Sequence, residues 1–163
     1  MTQEHEFIRA FDDHADAIFR YCYYRVFDRE KARDLTQEAF TKTWEYLLKG
    51  NKIDNFRAFL YRTALNLIID QSRKKRELSL EDLQEQGMDF SSSDIESIET
   101  SLDAEALLGR LHELPAEYGE VLILRFVEDM DISEIAAALG ERENTVSVRI
   151  HRGINKLRKL VKP

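Results

Sequence analysis

The stretch DISEIAAALGERENTVSVRIHR, residues 131–152, decides how the chain is read. Asp131 followed three residues later by Glu134 has the form of a capping box, with Asp in place of the usual Ser or Thr, and opens a short helix from Ile132 to Leu139. Gly140 breaks that helix, Glu141 and Arg142 turn the chain, and a last helix runs from about Glu143 to Leu160. In it Val146, Ile150, Leu157 and Val161 recur on one side for packing, while Thr145, Arg149, Arg152, Lys156 and Lys159 recur on another. A short helix, a glycine turn and a long cationic helix form a helix-turn-helix pattern, and the amphipathic split leaves one side free to meet phosphate. A cationic helix without that turn would be only a solvated face. Gly153 inside the helix costs roughly 1 kcal/mol against alanine, which points to a close helix approach.

Working outward, Leu107, Leu111 and Leu114 precede Pro115, which ends one helix and suits the first turn of the next. Tyr118, Val121, Leu122, Leu124 and Phe126 supply that next helix with an apolar side. Near the amino terminus Phe7, Phe11, Ala15, Ile18, Cys22 and Val26 fall at steps of three and four, one buried helical stripe. Ala32, Leu35, Ala39 and Phe40 begin a second helix that stops at about Gly50, and Asn51 to Asn55 is a short polar loop. A third helix carries Phe56, Phe59, Leu60, Thr63, Leu67 and Ile68 before it runs into Arg73, Lys74, Lys75 and Arg76. The fold class is therefore all-α: two small helical domains, 1–76 and 106–163.

Between them, residues 77–105 hold ten acidic and no basic side chains, with six serines. Such a run buries too little apolar surface to offset its chain entropy and reads as a flexible linker. The net charge of -7 hides two cationic segments, +5 over 57–76 and +6 over 142–163, beside -10 in the linker and -6 over 106–141. A local field can oppose the total.

The 163 residues contain no apolar run of membrane-spanning length, and MTQEHEFIRAFDDH lacks the basic start and apolar core of a secretory signal. A cytoplasmic location and no direct membrane insertion are expected. The single cysteine, Cys22, excludes a disulfide framework and lies on an apolar stripe, where a buried inert thiol is expected. The four histidines show no zinc spacing and no glycine-rich phosphate loop is present, so an enzyme, a cofactor, a metal site and a small-molecule substrate are not expected.

Several ordered stretches carry a resemblance that covers about Phe11 to Leu160. They are RDLTQEAF at 33–40 with Trp44; FRAFLYRTALNLIID at 56–70 with the basic run to Arg76; LPAEY at 114–118; EIAAALG at 134–140; and TVSVRIHR at 145–152. Together they resemble the extracytoplasmic-function sigma factors, small two-domain promoter-specificity subunits of bacterial RNA polymerase. The resemblance implies core-polymerase contacts from Asp34, Leu35, Gln37, Glu38, Thr41 and Trp44 to the clamp helices of the largest subunit, and a further contact with the flap region. Phe40 is expected in the core. The third helix would open promoter DNA at the minus-ten element, its aromatic faces, amide and cations taking unstacked bases and backbone through Lys52, Asn55, Phe56, Arg57, Tyr61, Arg62, Asn66, Arg73, Lys74, Lys75 and Arg76. By the same resemblance the loop from Gly50 to Phe56 and Asn66 would form one pocket for a flipped base, and Phe59 and Leu60 would pack.

The last helix would enter the major groove of the minus-thirty-five element through Arg142, Asn144, Thr145, Ser147, Val148, Arg149, His151, Arg152 and Lys156. Here the chain departs from the family, which tends to place a basic residue at Ser147 and a serine at Val148, so the resemblance implies the docking mode and not the promoter bases. The ten linker carboxylates are expected to screen the two cationic surfaces and to occupy a basic RNA path in the polymerase. An anti-sigma factor is an implied partner. An ordinary dimeric helix-turn-helix regulator is the alternative, sharing the carboxy-terminal pattern and leaving the amino-terminal stretches incidental.

Overall fold

The computed structural model describes residues 2–78 and 104–161, so the linker expected over 77–105 lies almost entirely outside the described residues. Helix α1 spans Gln3–Val26, α2 Arg29–Leu48 and α3 Phe56–Leu78. Their starts are set by short polar side chains that satisfy the free N–H groups of a first turn: Thr2 accepts from the His5 N–H, Asp28 from Lys31 and Asn55 from Ala58. α1 stops where Phe27 takes a left-handed conformation, φ 52°, and α2 stops ahead of Gly50, φ 91°.

These helices pack through Ile18, Cys22, Ala32, Leu35, Ala39, Phe40, Leu60, Ala64, Leu67 and Ile68, all buried. Phe40 is in the core as expected, edge-on to Phe7 and Phe11. Thr43, fully buried, donates its hydroxyl to the Ala39 carbonyl at 2.8 Å, so its burial leaves no orphan donor. The α1 stripe differs from expectation at Phe11, which is 46% exposed, while Tyr21 and Arg25 on the adjoining face are buried. The cause is a second layer: α1 also packs on the carboxy-terminal helices, which shifts and widens its buried side.

After the linker come α4, Ala104–Leu108, a 3-10 turn at Leu111–Glu113, α5, Ala116–Leu122, α6, Ile132–Leu139, and α7, Glu143–Val161. Two short pieces thus stand where one helix was expected before Pro115. α5 does not continue through Phe126. From Ile123 to Val127 the turns widen to π geometry, the Glu128 N–H reaching back five residues to the Ile123 carbonyl, and Phe126 is turned out at 57% exposed. On α7, Val146, Ile150, Gly153 and Leu157 face inward, but Val161 at the end is exposed. A Cβ on Gly153 would lie 3.2 Å from Leu122 and 3.4 Å from Tyr118, the close approach its position implied.

The amino- and carboxy-terminal helices are not held only by their linker. α1 and α3 pack on α5, α6 and the π turn, and the two apolar cores merge into one. Two domains on a tether carried no expectation of that shared interface.

Candidate nucleic-acid interface

The capping box at the head of α6 is complete: the Glu134 N–H donates to the Asp131 carboxylate at 2.8 Å and the Asp131 N–H to the Glu134 carboxylate at 3.1 Å. Gly140, φ 69°, then reverses the chain into α7. With Val146 and Leu157 buried beneath, Arg142, Asn144, Ser147, Val148, His151 and Arg152 are exposed on α7 and its leading turn, and Thr145, Arg149 and Lys156 are half-buried beside them. Arg149 donates to the Glu141 carboxylate at 3.5 Å, and the Lys156 ammonium lies 5.3 Å from the Tyr118 ring centroid. The arrangement is a convex cationic face on a rigid helix, the form that enters a major groove.

α3 is arranged differently. Arg57 donates to the Glu134 carboxylate at 2.9 Å and to the Glu128 carbonyl at 3.1 Å. Tyr61 is 1% exposed, its hydroxyl donating to the Glu128 carboxylate at 3.0 Å and its ring edge-on to Tyr21. Arg62 donates to the Ala137 and Ala138 carbonyls at 3.1 and 3.3 Å, at the negative end of the α6 dipole. Arg73 and Lys74 are exposed, and the side chains of Lys75 and Arg76 lie outside the described residues. Tyr61 is therefore no open stacking platform in this arrangement, because its face of α3 is the one laid against the carboxy-terminal helices. Leu60 is buried and Phe59 lies against Tyr46, ring centroids 4.8 Å apart, so both pack as expected.

Residues of the Gly50–Phe56 loop and Asn66, expected to form one pocket, each line a cleft. Ile53, Asp54 and Phe56 line one of about 300 Å³ against Arg9, Asp13 and His14 of α1. Asn66 is exposed in another of about 360 Å³, between α2 and α3, with Lys42, Tyr46, Lys49 and Phe59. Phe56 and Asn66 are ten residues apart on α3, about 15 Å along its axis, and Lys49, just ahead of the loop, lines the cleft of Asn66. Lys52 is exposed on the loop, and Asn55 is engaged as the α3 cap.

On α2, Asp34, Gln37, Glu38 and Thr41 share an exposed face. Leu35 is fully buried and supports that face from beneath, a correction to its place among the exterior contacts. Trp44 is half-buried, its ring 5.0 Å from that of Phe7.

Sequence reasoning missed Glu128 and Arg20. Glu128, its side chain 1% exposed, accepts two hydrogen bonds from Arg20 at 2.8 and 2.6 Å besides that from Tyr61. The hydrogen bond to Glu128 holds the Arg20 guanidinium above its ordinary pKa, and burial, with the Glu128 carboxylate beside it, does the same for the Tyr61 phenol. Burial raises Glu120 to about 6 despite Arg25, and pushes the Cys22 thiol up to about 12, which keeps it protonated and unreactive. An acidic residue flanked by hydrophobic ones, as Glu128 is by Phe126, Val127 and Met130, was the one available signal.

Residues 10–77 match the family Sigma-70 region 2, and residues 104–157 match Sigma-70, region 4. The chain is 30% identical over 158 residues to the ECF RNA polymerase sigma factor SigW of Bacillus subtilis, covering 91% of this chain and 84% of that one. It is 32% identical over 148 residues to the RNA polymerase sigma-E factor of Streptomyces coelicolor, covering 88% and 78%. The sigma factor RpoE of Bartonella quintana, solved in complex with the anti-sigma factor NepR, has the same fold, with a TM-score of 0.71 at 24% identity over 96% of this chain and 97% of that one. Region 2 helices followed by a region 4 helix-turn-helix define a class, the two-domain sigma factors. This chain belongs to the ECF RNA polymerase sigma factors.

Proposed function

We propose that this chain is a promoter-specificity subunit of bacterial RNA polymerase, with residues 1–76 and 106–163 as its two working domains. The exposed α2 face of Asp34, Gln37, Glu38 and Thr41 docks on the clamp helices of the largest subunit, and the carboxy-terminal domain meets the flap region. α7 reads the minus-thirty-five element, with Arg149 and Arg152 on guanine or phosphate. α3 takes the melted minus-ten strand through Phe56, Arg57, Tyr61, Arg62, Asn66 and the basic run that follows, once these groups are free of the carboxy-terminal helices.

The observation that carries this reading is the exposed cationic face of α7 on a capped helix-turn-helix, in the same chain as a region 2 helix set with an exposed acidic docking face. The chain makes no bond itself. The polymerase supplies the catalysis in the cytoplasm and this subunit chooses where it begins, under the control of an anti-sigma factor. Among the described residues no helix is long and apolar enough to cross a membrane.

The test is association with core polymerase by light scattering and anisotropy. The wild-type chain is expected to form a one-to-one complex, and Asp34→Lys with Glu38→Lys to weaken it at least roughly tenfold while leaving the circular dichroism spectrum unchanged. A wild-type chain that ignores core polymerase and binds palindromic duplex as a homodimer would overturn the proposal in favour of an ordinary regulator.

A further inference from the structure

The acceptors that α6 and the π turn offer α3 are of the kind a nucleic-acid backbone offers: carboxylate oxygens at Glu128 and Glu134, and unpaired carbonyls at the negative end of a helix. They fall on Arg57, Tyr61 and Arg62, in the segment that carries +5, and they come from the segment that carries -6. We propose that the carboxy-terminal domain is a built-in competitor for the strand-binding face of α3, held by the Glu128 carboxylate. In the free chain these three α3 groups are thereby withheld from single-stranded DNA, while the α7 face stays open to duplex. The proposal deepens the sigma-factor reading and rests on it for the strand that α3 binds.

The asymmetry between the two surfaces supports the assignment. Arg142, Asn144, Ser147, His151 and Arg152 are exposed on α7 in the same arrangement that bonds Arg57, Tyr61 and the still exposed Arg62 to acceptors of the other domain. The latch also recruits a residue outside either surface: Arg20 of α1 makes two hydrogen bonds to Glu128 and so ties the π turn to the amino-terminal domain from a second helix. A buried carboxylate deprived of its cation is costly, so removing either partner weakens closure from opposite sides of the interface. Arg20 and Glu128 belong to neither the polymerase face nor the DNA faces, which makes them the positions to alter.

The experiment uses the full chain with spin labels at Lys31→Cys and Glu143→Cys, exposed positions on α2 and α7. Glu128→Gln and Arg20→Gln are each compared with the unaltered latch for the distance between labels. In unlabelled protein at matched salt they are compared for affinity toward mixed-sequence single-stranded DNA, toward duplex DNA, and for core-dependent transcription at saturating core polymerase. Both variants are expected to lengthen the label distance and to raise single-strand affinity roughly tenfold, with duplex affinity and saturated transcription unchanged.

Folded variants with an unchanged distance and unchanged single-strand affinity overturn the latch, and so does an equal gain for duplex. If Glu128→Gln unfolds the chain, Arg20→Gln, altered at a half-exposed side chain, decides the matter alone. Absence of core-dependent starts from the wild-type chain defeats the sigma-factor reading, while the label distances still judge the latch.

Discussion

Replacing Tyr61 by phenylalanine removes one oxygen and keeps the ring that lies edge-on to Tyr21, centroids 5.4 Å apart. The lost hydroxyl donates to a carboxylate that is 1% exposed, and Arg20 is the other side chain that hydrogen-bonds to it. Hydrogen bonds to charged groups contribute about 1.5–3 kcal/mol, so Tyr61→Phe is expected to lower stability by ~2 kcal/mol in urea unfolding followed by circular dichroism. In a double-mutant cycle with Glu128→Gln most of that loss is expected as coupling, because the phenol then faces a neutral amide.

The pH dependence follows from the raised phenol. A raised folded pKa means that the contribution is fully present below the unfolded value near 10 and is lost as pH climbs above it. The gap between wild type and variant is thus expected to be level from pH 7 to about 9 and to close beyond about 10. A loss under ~0.5 kcal/mol with no coupling to Glu128 would refute the assignment of Tyr61 as a donor that holds the two domains together.

Glu120, raised to about 6 by burial from an ordinary value of 4.5, costs the fold stability as pH rises through that window, on the order of 2 kcal/mol. Glu120→Gln is expected to remove that slope from a stability-against-pH curve, and a slope that persists unchanged would assign it to another group. Gly153→Ala gains about 1 kcal/mol in helix propensity but presses a methyl to 3.2 Å from the fully buried Leu122, so a net loss of about 1 kcal/mol is expected in thermal unfolding. A more stable protein would show that Leu122 yields. Arg152→Ala is expected to weaken duplex binding and to reduce the slope of log affinity against log salt by about 1, measured by anisotropy across a salt series.

The helices of this chain were legible because their signals are local. Stripes at steps of three and four located α1, α2, α3 and α7, the Asp131–Glu134 pair located the head of α6, and Gly153 pointed to a close helix approach, whose partners are Leu122 and Tyr118. The shared interface was not legible, because it is built from polar pairs distant in sequence. Arg20 and Glu128 are 108 residues apart and each, read alone, is an ordinary surface residue.

The site divided in the same way. The α7 face follows from helical period, with Arg152 exposed and Thr145, Arg149, Lys156 and Lys159 half-buried along it. Tyr61 was read as an exposed aromatic, yet its exposure depends on what α6 does from the far side of the linker. The π turn after Leu122 is a shift in backbone hydrogen bonding that leaves no mark on apolar spacing, so Phe126 was placed inward when it points out.

The measurement that bears most directly on the whole account is start-site mapping in a reconstituted reaction of core polymerase, this chain and fragmented bacterial genomic DNA. The account predicts a small set of discrete starts, each dependent on the added chain and each preceded by a shared pair of elements spaced for α7 and α3. Starts identical with and without the chain would contradict it.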